Sequence, residues 1–464
     1  MSEPRSALGE FEIRGEWWLP EKPLDRISGL LRYKAGDWVR LDTDKYLRDP
    51  WVEVVPGTQD FSLGPRKFSV LLGEAKDGTP CTLIEGFESG GCSFFARCLL
   101  IGTHFEDAAK FRIASANAEF THLEQWSQHS PFRVNVPQPE EQALHTIDIA
   151  YHRKRLLAIH LPSRECKLEV WSSTVPSIEF FASANVKHIV FVSVEPETPR
   201  DLRWYRQFFA DCCALFSFFV GSRVLRRSTN CTLVTADNDP TVRRDVEMFD
   251  QGSRPETELR RPAEMMPIPF SMVAPIAGQV FENWLSSAQE LAPAYQVLVE
   301  VLPPNSLGLE SKLLRLAQAL EVFFRRKVKG TYVAPETYSS YYKEILRGFP
   351  KDMPSDLRDR LRNHLKYGNE FSLKSVVRKL VDTLEEPSRR ALQVQDYSDF
   401  AMKVANTRNS LTHHTAPTGP VASTASDYLD LTRNLRALLY GVVAQSLGFN
   451  AHVVGHCISN ARIE

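Results

Sequence analysis

The spacing of apolar residues changes near position 276, and this change restricts the chain to a β-rich part followed by a helical part. Before residue 140, short segments with strand-like composition, such as 10–14 and 68–72, are separated by Gly, Pro and Asp. From about 278 onward, apolar residues recur at helical spacing. The clearest stripe lies at positions i, i+4, i+7 and i+11 and consists of Leu313, Ala317, Leu320 and Phe324.

The length of 464 residues is too great for one ordinary domain. We predict a multidomain α+β chain with three parts. Residues 1–140 form a β-rich domain resembling a sandwich or barrel, residues 141–275 a mixed β/α unit with a linker at 254–275, and residues 276–464 an all-α bundle. The mixed unit should contain one long helix at 201–221, ended by its glycine, and strands at 145–150, 167–171, 188–194, 231–235 and 244–249.

The predicted helices of the last part are separated by proline, glycine and polar residues. Pro303 and Pro304 separate the second helix from the long third one, and Gly448 ends the last helix. Besides the long helix around Leu313, the predicted helices are 280–291, 293–302, 338–347, 354–366, 373–384, 396–413 and 425–447.

The net charge of −1 conceals an asymmetry along the chain. Residues 311–464 contain 23 Lys and Arg against 15 Asp and Glu, whereas residues 1–310 contain 33 against 42. A basic C-terminal part behind an acidic N-terminal part is typical of a chain that binds RNA at one end. Basic, solvated helix faces are also common, so the charge alone leaves both interpretations open.

The eight cysteines are scattered, without a Cys-x-x-Cys pair or a spacing typical of zinc sites. We therefore expect reduced thiols in a cytoplasmic protein without metal or cofactor. The N-terminus lacks the pattern of a signal peptide. The most apolar stretch, 208–220, is shorter than the roughly 20 residues of a membrane span and includes Asp211, so we expect a buried helix and a soluble protein.

Two tryptophans, Trp17 and Trp18, form an unusual cluster at a strand end, and Trp126 is a third large ring. We expect these rings to fill a core, and a surface that stacks on a ligand is the alternative. A deep aromatic pocket near Trp17 together with a buried, fully paired Arg408 would favour a small-molecule or carbohydrate-binding β protein with a helical dimerisation tail.

The residues most suited to chemistry are Arg408, Asn409 and His413, at the end of the helix predicted for 396–413. Phe400, Val404 and Leu411 should form the buried stripe of that helix, with Arg408 at its edge. The imidazole can accept a proton from a ribose 2′-OH, and the guanidinium can stabilise charge on the phosphate. This chemistry needs no metal and yields a 2′,3′-cyclic phosphate and a 5′-OH.

Spacing alone does not single out this pair, because Arg155/His160, Arg358/His364 and Arg97/His104 also fit. An Arg-Asn-His cluster that only caps a helix is the structural alternative. On a regular helix, His413 lies about 140° from Arg408 and His414 about 120° on the other side. The helix must therefore fray at its end, or the two side chains must meet across a dimer.

The run 408–413, Arg-Asn-Ser-Leu-Thr-His, resembles the motif of HEPN ribonucleases, and the helix around 318–326 is similar to the first long helix of ApeA-like HEPN domains. The N-terminal part is similar to the ApeA N-terminal domain at 11–20 and 29–31, and at 101–105 and 123–126. This resemblance implies a bacterial anti-phage protein that acts by abortive infection.

The resemblance also implies site roles and partners. Arg408 and His413 would be catalytic, Asn409 would orient or bind the phosphate, and His414 would be the substitute base. Glu321 could pair with Arg408, and the alternative is a plain solvent-facing glutamate of the helix. HEPN domains of this kind dimerise and act on tRNA or other cellular RNA, and the N-terminal part would be a sensor or brake that responds to a phage-derived trigger. The alternative is a non-catalytic HEPN protein that only binds nucleic acid or a protein partner.

Overall fold

The computed structural model of the chain comprises two compact units. Residues Met1–Ala263 with Pro269–Gly278 form the first, and Glu264–Ile268 with Gln279–Glu464 form the second. The structure describes residues 5–48, 53–54, 61–62, 66–107, 111–135, 148–179, 183–234, 244–251, 262–303, 306–413 and 419–463. Parts of the predicted 145–150 and 231–235 strands and of the 254–275 linker lie outside the described residues.

The first unit is dominated by antiparallel strands, with one long helix and two short ones. Its strands are β1 (Glu10–Trp18), β2 (Ile27–Lys34), β3 (Val39–Thr43), β4 (Glu53–Val54), β5 (Phe61–Ser62), β6 (Arg66–Ala75), β7 (Pro80–Ser89), β8 (Ser93–Ile101), β9 (Ile113–Phe120), β10 (Phe132–Asn135), β11 (Asp148–Tyr151), β12 (Lys154–Leu161), β13 (Cys166–Glu179), β14 (Ser183–Pro196), β15 (Arg226–Leu233) and β16 (Arg244–Asp250). Its helices are α1 (Leu123–Ser127), α2 (Leu202–Val220) and α3 (Phe270–Val273).

Six strands close into a barrel, and the remaining strands extend the same sheet. Around the barrel the order is β1, β2, β3, β8, β7 and β6, because β7 pairs with both β6 and β8. From β8 the 12-stranded sheet continues through β16, β15, β9, β14, β13 and β12. The predicted β-rich, barrel-like N-terminal region is therefore confirmed. β9 lies before the boundary predicted near 140 and pairs with β14 and β15 behind it, so one sheet crosses that position.

The interior of the barrel is filled by large apolar side chains. Trp17 is fully buried in this core, whereas Trp18, the next residue on β1, is buried in a separate cluster with Val70 and Leu72. The Trp17 ring lies directly over Gly73 of β6, where a Cβ atom would come within 2.1 Å of the ring. Glycine at this position therefore makes room for the indole. The prediction that these tryptophans fill a core is confirmed, and the close packing of the Trp17 ring argues against a deep aromatic pocket at this residue.

Helix α2 packs its aromatic side chains against the extended part of the sheet. The Asp201 side chain caps its N-terminus by accepting a hydrogen bond from the Trp204 N–H at 2.8 Å. Gly221 ends it in the left-handed conformation, with φ of 73°. The predicted helix is therefore present, and its glycine ends it as expected. Trp126, also buried as predicted, stacks on Phe219 of this helix with ring centroids 5.5 Å apart.

The second unit is helical, as predicted. Its helices are α4 (Ala277–Glu300), α5 (Leu309–Phe323), α6 (Pro335–Arg347), α7 (Ser355–Lys366), α8 (Leu373–Thr383), α9 (Glu386–Ala391), α10 (Tyr397–His413), α11 (Ala425–Leu447) and α12 (Ala451–Ala461), and a π-helical turn, Phe324–Val328, follows α5. All four residues of the stripe predicted around Leu313 are buried. In this unit α5 packs against α11, α8 and α10, and α8 packs against α10.

Three predictions for this unit were wrong. The two short helices predicted on either side of Pro293 are one helix, α4, with the proline inside it. Trp284 and Tyr295, on either side of the proline, stack with ring centroids 3.8 Å apart, so tertiary packing supports the continuous helix. Gly448 ends α11 as expected, but Asn450 then caps a further helix, α12, and the short α9 was also not predicted.

All eight cysteines, which lie in the described part of the chain, are free thiols. Burial raises the pKa of the Cys98 thiol to about 12. Among the described residues, no helix has the length and apolar composition needed to cross a membrane.

Candidate active site

The candidate site lies at the C-terminal end of α10. The Asp396 side chain starts this helix by accepting hydrogen bonds from the main-chain N–H groups of Ser398 and Asp399, at 2.7 and 3.1 Å. The helix then continues without interruption to His413. The predicted motif, residues 408–413, therefore forms the last part of this helix, as the sequence indicated.

The buried face of α10 differs in one position from the prediction. Phe400 and Val404 are buried as expected, but Leu411 is only half-buried, and Thr407 takes its place in the buried face. The Thr407 side chain accepts a hydrogen bond from the Ala422 N–H at 2.9 Å. The returning chain therefore covers Thr407, which is 1% exposed, and this contact could not be deduced from helical spacing.

Arg408 follows the buried Thr407 and lies at the edge of the covered face. Its Nη2 atom is 3.8 Å from Oε2 of Glu321 on α5, and its Nη1 donates a hydrogen bond to Asn409 Oδ1 at 3.1 Å. The Arg408 side chain is 35% exposed and that of Glu321 is 18% exposed. The guanidinium is thus held by two neighbours while part of it still faces solvent.

Glu321 contacts a second arginine as well. Its Oε1 atom is 4.0 Å from Nη2 of Arg325, and the same Nη2 atom is 2.9 Å from Oε2 of Glu370. One carboxylate between two guanidinium groups lets both cations stay near each other at the surface. Arg325 and Glu370 were not among the residues predicted for the site. The spacing of Glu321 and Arg325, four residues apart on one helix, was the available signal for the first of them.

His413 is the last residue of α10, and its side chain is exposed. Because the helix is regular up to this residue, His413 and Arg408 point about 140° apart around its axis. Fraying before His413, one of the two predicted ways to join them, is not observed. His414, the substitute base, lies outside the described residues.

The other Arg/His pairs of suitable spacing have different surroundings. Arg155 Nη1 donates to Glu169 Oε1 at 3.0 Å on the sheet surface. Arg358 donates to three main-chain carbonyl groups before α7. The His104 ring bonds the Gly73 carbonyl at 2.8 Å. Each of these residues thus has a structural partner. Arg408 also pairs with a carboxylate, but its partner lies on another helix and the pair is at a helix end.

No group of three or more His, Cys, Asp or Glu side chains within the described ranges is placed to hold a metal ion.

Comparison with known proteins agrees with the two-part division of the chain. The profile of the ApeA N-terminal domain 1 family matches residues 12–284, more than half of the chain, and the profile of the Apea-like HEPN family matches residues 314–453. Neither a curated protein nor a solved structure matches at a significant level. At the family level, these matches indicate a HEPN nuclease of anti-phage defence. The resemblance inferred from the sequence is thereby confirmed, and the chain belongs to the ApeA N-terminal domain 1 family, with an Apea-like HEPN region at its C-terminal end.

Proposed function

We propose that the chain is a metal-independent endoribonuclease that cleaves RNA through its Arg408–Asn409–His413 motif. The main support for the proposal is the partly exposed Arg408 guanidinium, which lies between Glu321 and Asn409. It stands at the end of the helix where His413 is exposed. The 3.8 Å contact with Glu321 is longer than a charge-assisted hydrogen bond, and the guanidinium is partly exposed, so a phosphate can approach it.

The chemistry uses the ribose of the substrate as the nucleophile. One histidine removes the proton of the 2′-OH, the resulting oxygen attacks the adjacent phosphorus, and the P–O5′ bond breaks. The leaving 5′ oxygen takes up a proton. Arg408 stabilises the charge on the non-bridging oxygens, and Asn409 orients the guanidinium or binds the phosphate. The products are a 2′,3′-cyclic phosphate and a 5′-OH, and DNA is not cleaved.

The divergence of Arg408 and His413 on one regular helix favours a site shared between two copies of the chain. In a two-fold homodimer, Arg408 of one copy and His413 of the other can face the same phosphate. His414 is the alternative base in this arrangement. The RNA target, tRNA or another cellular RNA, is set by surfaces outside the motif.

The first unit is suited to a regulatory role, because an endoribonuclease that is always active would damage its own cell. We assign it the role of a sensor or brake that releases the nuclease when a phage-derived trigger is present. The closed barrel around Trp17 gives this unit a packed core of its own on which such a contact could be built.

The test compares the wild-type chain with Arg408→Ala, Asn409→Ala and His413→Ala on a labelled RNA, with a chelator present. We expect loss of cleavage in the arginine and histidine variants and a cyclic phosphate at the new 3′ ends. Cleavage that requires added metal, or full activity in both variants, would refute the mechanism. RNA binding without cleavage by the wild type under all conditions would favour a non-catalytic HEPN protein.

Mixing the two inactive variants tests the shared site. In mixed dimers of Arg408→Ala and His413→Ala, one of the two sites is fully wild type, and half of the dimers are mixed after exchange. Activity should therefore return to about a quarter of the wild-type value. If no activity returns although mixed dimers form, each site lies within one chain.

A further inference from the structure

The positive charge of the C-terminal part is concentrated in one segment, residues 325–368, which we name the basic arm. It contains 11 Lys and Arg against 5 Asp and Glu, whereas the rest of 311–464 contains 12 against 10. The arm therefore supplies a net +6 of the +8 in that part of the chain. The charge asymmetry is a local property of one segment and not a general feature of the helices.

The basic arm does not contribute to the core. None of its residues is buried, although it contains two complete helices, α6 and α7. The helices contact each other through half-buried side chains, and the Tyr338 hydroxyl donates a hydrogen bond to the Leu365 carbonyl. A segment of this length without a buried residue keeps its charges in solvent, where they act on a ligand more than on the fold.

The helix pair α6 and α7 of the basic arm is fixed on both sides at one buried residue, Asn369. Its Oδ1 accepts a hydrogen bond from the Val333 N–H at 3.0 Å, and its Nδ2 donates to the Val333 carbonyl at 2.9 Å. The Asn369 carbonyl also accepts from the Tyr332 N–H at 3.1 Å. These bonds join the chain just before α6 to the chain just after α7. The arm therefore has a fixed base at this point.

That base is adjacent to the candidate active site. The arm begins at Arg325, which pairs with Glu321, and Glu321 in turn pairs with Arg408. Arg325 lies in the π-helical turn Phe324–Val328, which the Lys329 N–H closes by donating to the Phe324 carbonyl at 2.7 Å. This turn exposes four successive side chains, three of them cationic, directly beside the site.

Exposed aromatic rings accompany these cations. Tyr332, Tyr341 and Tyr367, at the base and along the arm, are 54%, 50% and 67% exposed. Lysine and arginine that track phosphates, interleaved with aromatic faces on which bases stack, are the features by which proteins hold single-stranded nucleic acid. A protein partner of ordinary composition would not require this excess of positive charge.

From this arrangement we infer that the basic arm binds single-stranded RNA and leads it to Arg408. The inference rests on the proposed function for the choice of RNA. The arm holds the phosphates on one side of the scissile bond, and the turn around Arg325 delivers the strand to the site. The substrate class is accordingly RNA with an unpaired stretch, not a fully paired duplex.

The test measures binding of a fluorescent 24-nucleotide 2′-O-methyl RNA to the full chain at several salt concentrations. This probe keeps bases and phosphates but blocks the 2′ nucleophile. The arm variant is Arg360→Glu with Arg362→Glu, on the exposed part of α7. The control is Arg315→Glu with Arg390→Glu, outside the arm, which changes the net charge equally. Both control arginines have surface carboxylate partners, as Arg362 has in Asp359.

We expect the arm variant to bind at least about tenfold more weakly, with a shallower dependence of affinity on salt, and the control to stay within about twofold of the wild type. The wild type should prefer the single strand over its duplex. Equal affinity of both variants would overturn the inference. Unchanged RNA affinity together with a changed oligomeric state of the arm variant would do the same, and would assign the arm to contacts between copies.

Failure of the proposed function is a separate result. If the wild type cleaves the 2′-O-methyl RNA, the 2′-OH mechanism is wrong, but the affinity difference between the arm and control variants still decides whether the arm binds RNA.

Discussion

Arg226 and Arg408 are both paired with carboxylates, but their environments differ. Arg226 donates to Asp250, and Arg206 Nε is 3.4 Å from the other oxygen of that carboxylate. The side chains of Arg226 and Asp250 are 13% and 11% exposed, whereas Arg408 is 35% exposed and 3.8 Å from Glu321. We call Arg226, Arg206 and Asp250 the closed cluster, because these groups are buried and in close contact. We call Arg408 and Glu321 the open pair, because the arginine is partly exposed and the two charged groups are farther apart.

This difference separates a structural ion pair from one available to a ligand. Burial alone would raise the pKa of Asp250, but the charges and hydrogen bonds of Arg226 and Arg206 outweigh it and leave that pKa below its usual range. The cluster therefore stays charged inside the first unit, and each member depends on the others. At the candidate active site, solvent screens the pair, so Arg408 can bind a phosphate without a large loss of folding free energy.

The largest expected effect is on the closed cluster. Asp250→Ala leaves Arg226 as a buried charge without its carboxylate and should lower the free energy of unfolding of the first unit by about 3–5 kcal/mol. Tryptophan fluorescence during denaturant unfolding measures this, because seven of the eight tryptophans lie in the first 263 residues. Glu12→Ala is the control, since it removes the exposed partner of Arg32 and should cost at most about 1 kcal/mol. Equal losses of unfolding free energy in both variants would mean that the closed cluster contributes no more to stability than an exposed ion pair.

The next effect is on the open pair and concerns activity. Arg408→Ala should lower the rate of RNA cleavage by about 10²–10³-fold, because it removes the group that stabilises charge on the phosphate. Its free energy of unfolding should change by at most about 1 kcal/mol. Arg390→Ala removes an exposed arginine paired with Glu386 and should alter neither quantity. A cooperative loss of folding in Arg408→Ala would mean that the open pair is structural after all.

A smaller effect is expected at the carboxylate that positions Arg408. Glu321→Gln keeps the shape but removes the charge, so kcat should fall about tenfold without a rise in KM. Glu321→Asp should recover part of this loss, because the carboxylate can still reach the guanidinium. A rise in KM at constant kcat, or equal behaviour of Gln and Asp, would contradict a positioning role.

The smallest effect involves a half-buried histidine, His188, whose hydrogen-bond partner is an uncharged serine. Burial lowers the pKa of His188 below its usual 6.5, His129 acts in the same direction, and Glu124 opposes both. The unfolded chain therefore binds the proton more readily than the folded unit, and stability should fall as the pH decreases below about 6.5.

The expected loss at His188 is at most about 1 kcal/mol between pH 7.5 and about pH 5.5. His188→Gln can keep the hydrogen bond to Ser172, now 3.0 Å long, and should make the stability of the first unit less dependent on pH. Denaturant unfolding at both pH values, followed by tryptophan fluorescence, measures the difference. A variant as pH-dependent as the wild type would assign the effect to other groups.

Much of the fold could be read from local signals. Helices α2, α10 and α11 lie within a few residues of their predicted bounds, and the predicted stripe of α5 is buried. These predictions succeeded because the helices have a clear periodicity or clear end signals. The prediction failed at Pro293, where stacking across the proline outweighs its local cost, and at α9, which has only six residues. It missed α12 because Gly448 was expected to end the last helix.

The sequence by itself determined which residues are chemically suited to the site and that they end a helix, because spacing, residue type and the following prolines are local properties. Only the tertiary structure decided that α5 places Glu321 beside Arg408, that Thr407 and not Leu411 completes the buried face, and that one sheet closes into a barrel. Those outcomes depend on contacts between residues far apart in the chain, whose energies no local pattern contains.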